Sequence, residues 1–249
     1  MRKRISVILV VVGLMVLITS SAVKCAGIGI GGTLGFVSLN MGDLKDWNQT
    51  YKDYCDSVGR TSTLGNFQSD ILYGAQGKFS FGENFMLRFG YSHLSGKQEL
   101  EVTDPAWLEE KFTHQVSAHA ITSSLILAMP LSAFTLYGGG GLGYYLADYA
   151  VTDESLLFGE IQWKGKGSAI GFHGFLGTEI LLGKSFSISL EALYRIAKIP
   201  YLDCTESNGG ISTVGDHIKR VVDYTTGELK DLELDFGGLS ILAALHIYL

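Results

Sequence analysis

Three prolines and three cysteines are all that the 249 residues contain, and charged side chains make up only 18% of them. A typical soluble domain carries roughly 25% charge. So little proline leaves long extended segments uninterrupted. So few cysteines exclude a disulfide-dense scaffold. The net charge of −6 lacks the basic excess that nucleic-acid binding requires. No His-Glu-x-x-His or Cys-x-x-Cys pattern offers a zinc site, and no cofactor motif is present. The glycine-rich residues 138–143 lack the Lys-Ser/Thr of a phosphate loop. Beyond the N-terminus no apolar run reaches the roughly 20 residues that a membrane helix needs. What the chain has in quantity is apolar side chains, 47%, and glycine, 32 residues, which excludes intrinsic disorder.

Arg2, Lys3 and Arg4 precede an almost purely apolar run from Ile5 to Thr19, followed by Ser20, Ser21 and Ala22. Basic start, short apolar run and small residues are the layout of a secretory signal peptide. The expected leader is 1–22, with cleavage after Ala22 and a single domain over 23–249. Lys24 before Cys25 does not fit a lipoprotein signal. No periplasmic arm is expected on either side of that domain.

From there the chain alternates with period two, the strand signal. In the segment from Phe186 to Ile196, Phe186, Ile188, Leu190, Ala192, Tyr194 and Ile196 share one face. Ser187, Ser189, Glu191 and Arg195 share the other. Phe85, Leu87, Phe89 and Tyr91 likewise oppose Arg88, Gly90 and Ser92. Eight such segments are expected, near 27–40, 70–82, 85–97, 114–129, 133–148, 168–182, 185–199 and 235–249. Their connections alternate between short and long. The short ones lie at 82–84, 130–132 and 183–184; the long ones at about 41–69, 98–113, 149–167 and 200–234. Short turns on one end and long loops on the other are the pattern of an outer-membrane barrel. Only a closed barrel could satisfy every backbone group in lipid without a helix. Aromatics mark two girdles: Phe81, Phe85, Phe134 and Phe186 beside the short turns, and Phe36, Tyr73, Tyr91, Tyr144 and Tyr194 toward the long loops. A soluble barrel or sandwich is the competing fold, but it does not account for the strict alternation of connection lengths.

Three stretches then resemble the small eight-stranded outer-membrane barrels, the OmpA-like, opacity-like and OmpW-like group. They are Leu136 to Tyr145 (LYGGGGLGYY), Gly171 to Glu179 (GFHGFLGTE) with Glu191 to Tyr194 (EALY), and Asp235 to Leu249. Strands of that group commonly end in an aromatic; this one ends His246-Ile247-Tyr248-Leu249. The resemblance implies an all-β, antiparallel up-and-down transmembrane barrel in the outer membrane, inserted by the barrel-assembly machinery and working as a monomer in lipid. Its expected role is structural or surface recognition through the long loops, which would take an extracellular ligand. The alternatives are a narrow channel for small or hydrophobic molecules, or a lipid-modifying enzyme.

Taking the face opposite the aromatics as inward, Lys78, Arg88, Glu179, Glu191 and Arg195 enter the barrel, with His173. Buried charges must pair, so a salt-bridged plug is expected, or a gate if the barrel conducts. Gly139, Gly141 and Gly143 should leave room for Tyr137 and Tyr145. Cys55 in the first long loop and Cys204 in the last are neighbours in a closed barrel, and a disulfide between them is expected. Trp47, Trp107 and Trp163 all lie in long loops, where they would cap the mouth or form a binding surface. Helices are expected near Leu44 to Cys55 and Ala106 to Phe112. Catalysis finds little support: adjacent Ser92 and His93 point to opposite faces, and His114 and His119 have only spacing to link them to Ser117 and Ser123.

Overall fold

The computed structural model describes residues 27–249 except 70, 83, 104–108, 132, 156–158, 184 and 210–211. The expected leader and Cys25 lie outside the described residues. Eight strands form a ring: β1 (Ile28–Val37), β2 (Ile71–Phe81), β3 (Phe85–Thr103), β4 (Glu109–Pro130), β5 (Thr135–Ser155), β6 (Gly159–Leu182), β7 (Phe186–Ile196) and β8 (Gly238–Tyr248). Each pairs antiparallel with its neighbour in sequence, and β8 closes on β1 from Gly29↔Tyr248 to Val37↔Ser240. Closure removes the sheet edge, so the ring leaves no unpaired strand to lipid. The short turns and the strand ends near Gly27 and Leu249 share one rim. At one of these turns Gly183 takes a φ of 79°, which suits glycine best.

The eight strands fall into two groups. β1, β2, β7 and β8 run 10 to 11 residues, about what a tilted span of the membrane takes. β3 to β6 run 19 to 24 residues. At about 3.3 Å per residue the longest reaches roughly 80 Å, far beyond an apolar band of about 25 Å. Most of the segments expected as loops at 98–113 and 149–167 are therefore strand. Their alternation continues in phase, but its polarity inverts, and that is why they read as loops. The described part of the helix expected at 106–112 is the start of β4.

The first long connection carries the helix α1 (Gly42–Ser57). Leu44, Trp47, Asn48 and Cys55 fall at helical spacing and are buried. Residues 61–64 and 68–69 then pair with the upper part of β3. In the last long connection Asp203–Ser207 pairs with β6 above the point where β7 leaves it. The long strands, α1 and this connection enclose an apolar core that includes Leu44, Trp47, Leu94, Val116, Tyr149 and Leu202. Below it the arrangement is inside out: Leu34, Leu125, Ile170, Leu176, Leu190 and Ile241 point outward and are exposed. The girdle aromatics Phe36, Tyr73, Tyr91, Tyr144 and Tyr194 are exposed at the upper edge of this belt, with Phe85, Phe134 and Phe186 at the lower.

Candidate functional site

The lumen of the membrane band is built from inward residues of all eight strands. Nearest the short turns, Lys78 on β2 meets Glu179 on β6 at 3.0 Å, with Lys78 only 1% exposed. The second oxygen of Glu179 accepts from Tyr248 Oη at 2.6 Å and from Ser187 Oγ. Beside them His246 shares a hydrogen bond with Gln76 at 2.5 Å. One layer higher, Arg88 on β3 meets Glu191 on β7 at 2.6 Å, and its guanidinium lies 3.9 Å from the centre of the Phe175 ring. Glutamate oxygens that accept several charge-assisted bonds lose less on leaving water, and the rings add cation–π attraction. Higher still, Ser124 Oγ lies 2.7 Å from His173 Nε2. Arg195 belongs to this upper layer and joins neither carboxylate: it reaches Ser240 Oγ at 3.5 Å and lies 6.0 Å from the Tyr145 ring centre. The expected network is thus two ion pairs and a separate arginine.

Glycine makes the large side chains fit. A Cβ on Gly143 or on Gly171 would lie 2.8 Å from the Tyr145 ring, and one on Gly177 would lie 2.6 Å from the Tyr137 ring. An eight-stranded barrel has only enough interior for its own side chains. The cavity left among Arg88, His173, Glu191, Arg195 and Tyr145 is about 50 Å³.

At the outer mouth α1 is held by a buried polar chain. Asn48 Nδ2 donates to Gln98 Oε1 at 3.0 Å, and Asn48 Oδ1 lies 2.9 Å from His114 Nε2. The other nitrogen of His114 lies 2.8 Å from Tyr149 Oη. Burial drives His114 down to about 3, so the ring stays neutral. Trp47 Nε1 donates to Tyr224 Oη at 2.9 Å, and Asp43 pairs with Arg220 at 3.0 Å, tying α1 to the last connection. Above this plug the extension presents wet, charged grooves. One of about 520 Å³ is lined by Glu101, Glu109, Glu110, Lys111, Glu154 and Glu160. Another of about 440 Å³ includes Lys97, Asp148, Lys164, Lys166 and Glu206.

The profile of the "outer membrane protein beta-barrel domain" matches residues 7–233. The chain belongs to that family. It is an integral protein of the outer membrane, with its short turns periplasmic and its long strands reaching outside. No curated protein matches the sequence. Among solved structures it is similar to OprG of Pseudomonas aeruginosa (TM-score 0.49, 12% identity, 91% of this chain and 97% of that one). It is also similar to the attachment invasion locus protein Ail of Yersinia pestis, solved with the heparin analogue sucrose octasulfate (TM-score 0.39, 11% identity, 90% and 97%). A third is the outer membrane protease OmpT of Escherichia coli (TM-score 0.32, 9% identity, 92% and 97%). These likenesses are too distant to carry a role to this barrel.

The structure overturns the expected Cys55–Cys204 bridge and keeps Ser92 and His93 on opposite faces, as expected. Cys55 and Cys204 are free thiols. Cys55 packs beside Leu100 and Val102, while Cys204 joins the main core, where its strand pairs with β6. Burial pushes both thiols up, which starves oxidation of thiolate. Trp47, on the helix that closes the mouth, and Trp163 are buried core residues, which fits capping and not an exposed binding surface; Trp107 lies outside the described residues. Ser92 faces the lumen cavity and His93 the outer surface, where it contacts Tyr73 and His119. His119 bonds Tyr91, and His114 bonds Tyr149 and Asn48, so neither is joined to a serine. The pair that does form, Ser124–His173, was not signalled by local spacing because its members lie on β4 and β6. Its His173 Nδ1 has no partner among the described residues to orient the ring.

Proposed function

We propose that this outer-membrane barrel is a closed, non-enzymatic surface-recognition protein. The membrane part serves as a plugged anchor, and the extension of β3 to β6 presents the recognising surface. The observation that carries the reading is the double closure of the path. Lys78–Glu179 and Arg88–Glu191 fill the lumen with buried pairs, and α1 seals the mouth through Asn48, His114 and Trp47. An open pore would leave these charges wet. The protruding strands favour recognition because they are stiff, are cored by Val116, Tyr149 and Leu202, and carry charged grooves on their outer side. Rigid presentation lowers the ordering cost of binding. We take the protein to sit as a monomer in outer-membrane lipid, inserted by the barrel-assembly machinery, with an extracellular partner at the grooves. The Ser124–His173 pair has no orienting acid among the described residues and sits enclosed between the two closures, which supports the non-enzymatic reading.

The test is conductance of the folded protein in a planar bilayer, with heat-modifiable gel mobility verifying the fold. Folded protein without conductance is the expected result. Discrete steps would move the function to transport, with Arg88–Glu191 as the gate; Glu191→Gln should then enlarge the steps.

A further inference from the structure

The lumen holds three cations, Lys78, Arg88 and Arg195, against two carboxylates, Glu179 and Glu191. Each carboxylate is engaged by one cation, which leaves the charge of Arg195 unbalanced. Arg195 is only 3% exposed, and no carboxylate among the described residues pairs with it. A buried charge without a counter-charge is costly enough that proteins supply one from elsewhere.

The surroundings of Arg195 show what would supply it. Its Nη1 is buried and has no hydrogen-bond partner among the described residues. His173 Nδ1 is likewise without a partner, and the Tyr145 oxygen has only the neighbouring Arg195 guanidinium to accept from, which leaves its own O–H free to donate. All three residues line the 50 Å³ cavity, with the hydroxyls of Thr33, Ser92 and Thr122. When Ser124 Oγ donates to His173 Nε2 at 2.7 Å, the ring proton sits on Nδ1, which becomes a third unpartnered donor beside Arg195 and Tyr145. The one unpartnered carboxylate oxygen among the described residues of this lining is Glu191 Oε1, on a carboxylate already paired with Arg88. Lys78 and His246 lie lower, in the layer of Glu179.

We propose that the upper lumen binds one small monovalent anion, of the chloride or bromide kind, between Arg195, His173 and Tyr145. The cavity exceeds the roughly 10–15 Å³ that one water demands, so a single halide fits. The neighbouring Glu191 oxygen disfavours a dianion. The site belongs to the lumen whether or not the barrel conducts, so the bilayer experiment above does not bear on it.

The test uses the folded protein in detergent micelles at constant ionic strength, comparing sodium chloride and sodium bromide with sodium gluconate, whose anion is too large. The readouts are the midpoint of heat-modifiable unfolding and the width of the chloride NMR line. A bound halide should raise the midpoint by a few degrees, in a manner that saturates with concentration, and should broaden the line. Arg195→Gln should abolish both effects, and Tyr145→Phe, which removes one donor and keeps the ring, should shift saturation to higher chloride. Should Arg195→Gln not fold, the wild-type comparison and Tyr145→Phe still decide. Equal midpoints in chloride and gluconate with an unbroadened line would overturn the proposal and leave Arg195 bridged to Glu191 by water. A halide effect that persists in Arg195→Gln would overturn it too, by locating the anion on the surface.

Discussion

The two halves of β3 obey opposite rules on one continuous ladder. Below, Phe85 and Tyr91 point outward, while Arg88, Gly90 and Ser92 point inward. Above, Leu94, Leu100 and Val102 point inward, while Lys97, Glu99 and Glu101 point outward. The backbone does not change at the crossover; the solvent does. Outside the lower half is hydrocarbon, so apolar groups face it and polar groups must find partners within. Outside the upper half is water, so the ordinary rule returns and an apolar core forms under α1. β4 turns over in the same way, from Leu125 outward and Ser124 inward to Gln115 outward and Val116 inward.

The sharpest way to break this contrast is to strand a charge in the lower half. Glu191→Ala leaves Arg88 buried without its carboxylate and should cost about 3–5 kcal/mol, read as the midpoint of urea unfolding in lipid vesicles. Replacing both partners with Met should recover most of the loss, because two well-packed apolar side chains cost little where a buried pair stood. Glu99→Ala, which removes a partner of the exposed Lys97 and Lys111 on the extension, should leave the midpoint unchanged.

The outer surface gives the next largest effect. Leu125→Arg places a cation in hydrocarbon and should cost about 2–4 kcal/mol. Gln115→Arg, on the same strand and the same outward face but above the belt, should stay within about 0.5 kcal/mol. Equal costs at the two positions would show that the belt ends elsewhere.

This inversion also explains how far the fold was legible in sequence. The eight strands, the turn rim and the inward set Lys78, Arg88, Glu179, Glu191 and Arg195 follow from period-two alternation alone, because in the belt one face is always apolar. The upper strands do not follow from a rule that puts polar residues inside. Leu100 and Val102 keep the period, but they lie between Glu99, Glu101 and Thr103, and the run reads as a polar loop. Pairing across the ring was legible only in part. That the first and last loops are neighbours comes from the topology, yet it does not place Cys55 near Cys204. Cys55 sits near the end of α1 against β3, and Cys204 sits on a strand added to β6. Nor does alternation give heights in the lumen, and height decides that Glu191 meets Arg88 while Arg195 stands apart.

The α1 plug should respond to acid through His114. His114 is held near 3 by burial, against 6.5 for a free histidine, so the folded state refuses a proton that the opened state accepts. Stability of the α1 plug is therefore complete above about 6.5 and falls as pH drops toward 3, by about 1.4 kcal/mol per pH unit and roughly 2 kcal/mol by pH 5. Asp153 acts in the other direction. Its burial, reinforced by Glu110, lifts it to about 6, so that group favours the folded state as pH falls from 6 toward 3.8. Trp47 fluorescence against pH, wild type compared with His114→Gln, isolates the histidine contribution. The variant should lose the acid transition of the plug that the wild type shows.

The smallest effect is also the most local. Tyr224 accepts the indole proton of Trp47 at 2.9 Å and stacks on Tyr54 with ring centres 5.4 Å apart. Tyr224→Phe keeps the stacking but leaves the Trp47 N–H without its acceptor, which should cost about 1 kcal/mol. That is too little to unfold the barrel, and the lower half should not register it. It is enough to raise the open population of the plug about fivefold, which limited proteolysis of the segment around α1 would detect as faster cleavage. If Tyr224→Phe changed the unfolding of the whole barrel as much as it changed the cleavage of α1, anchor and extension would be one cooperative unit. The separation drawn from β3 and β4 would then describe their chemistry but not their stability.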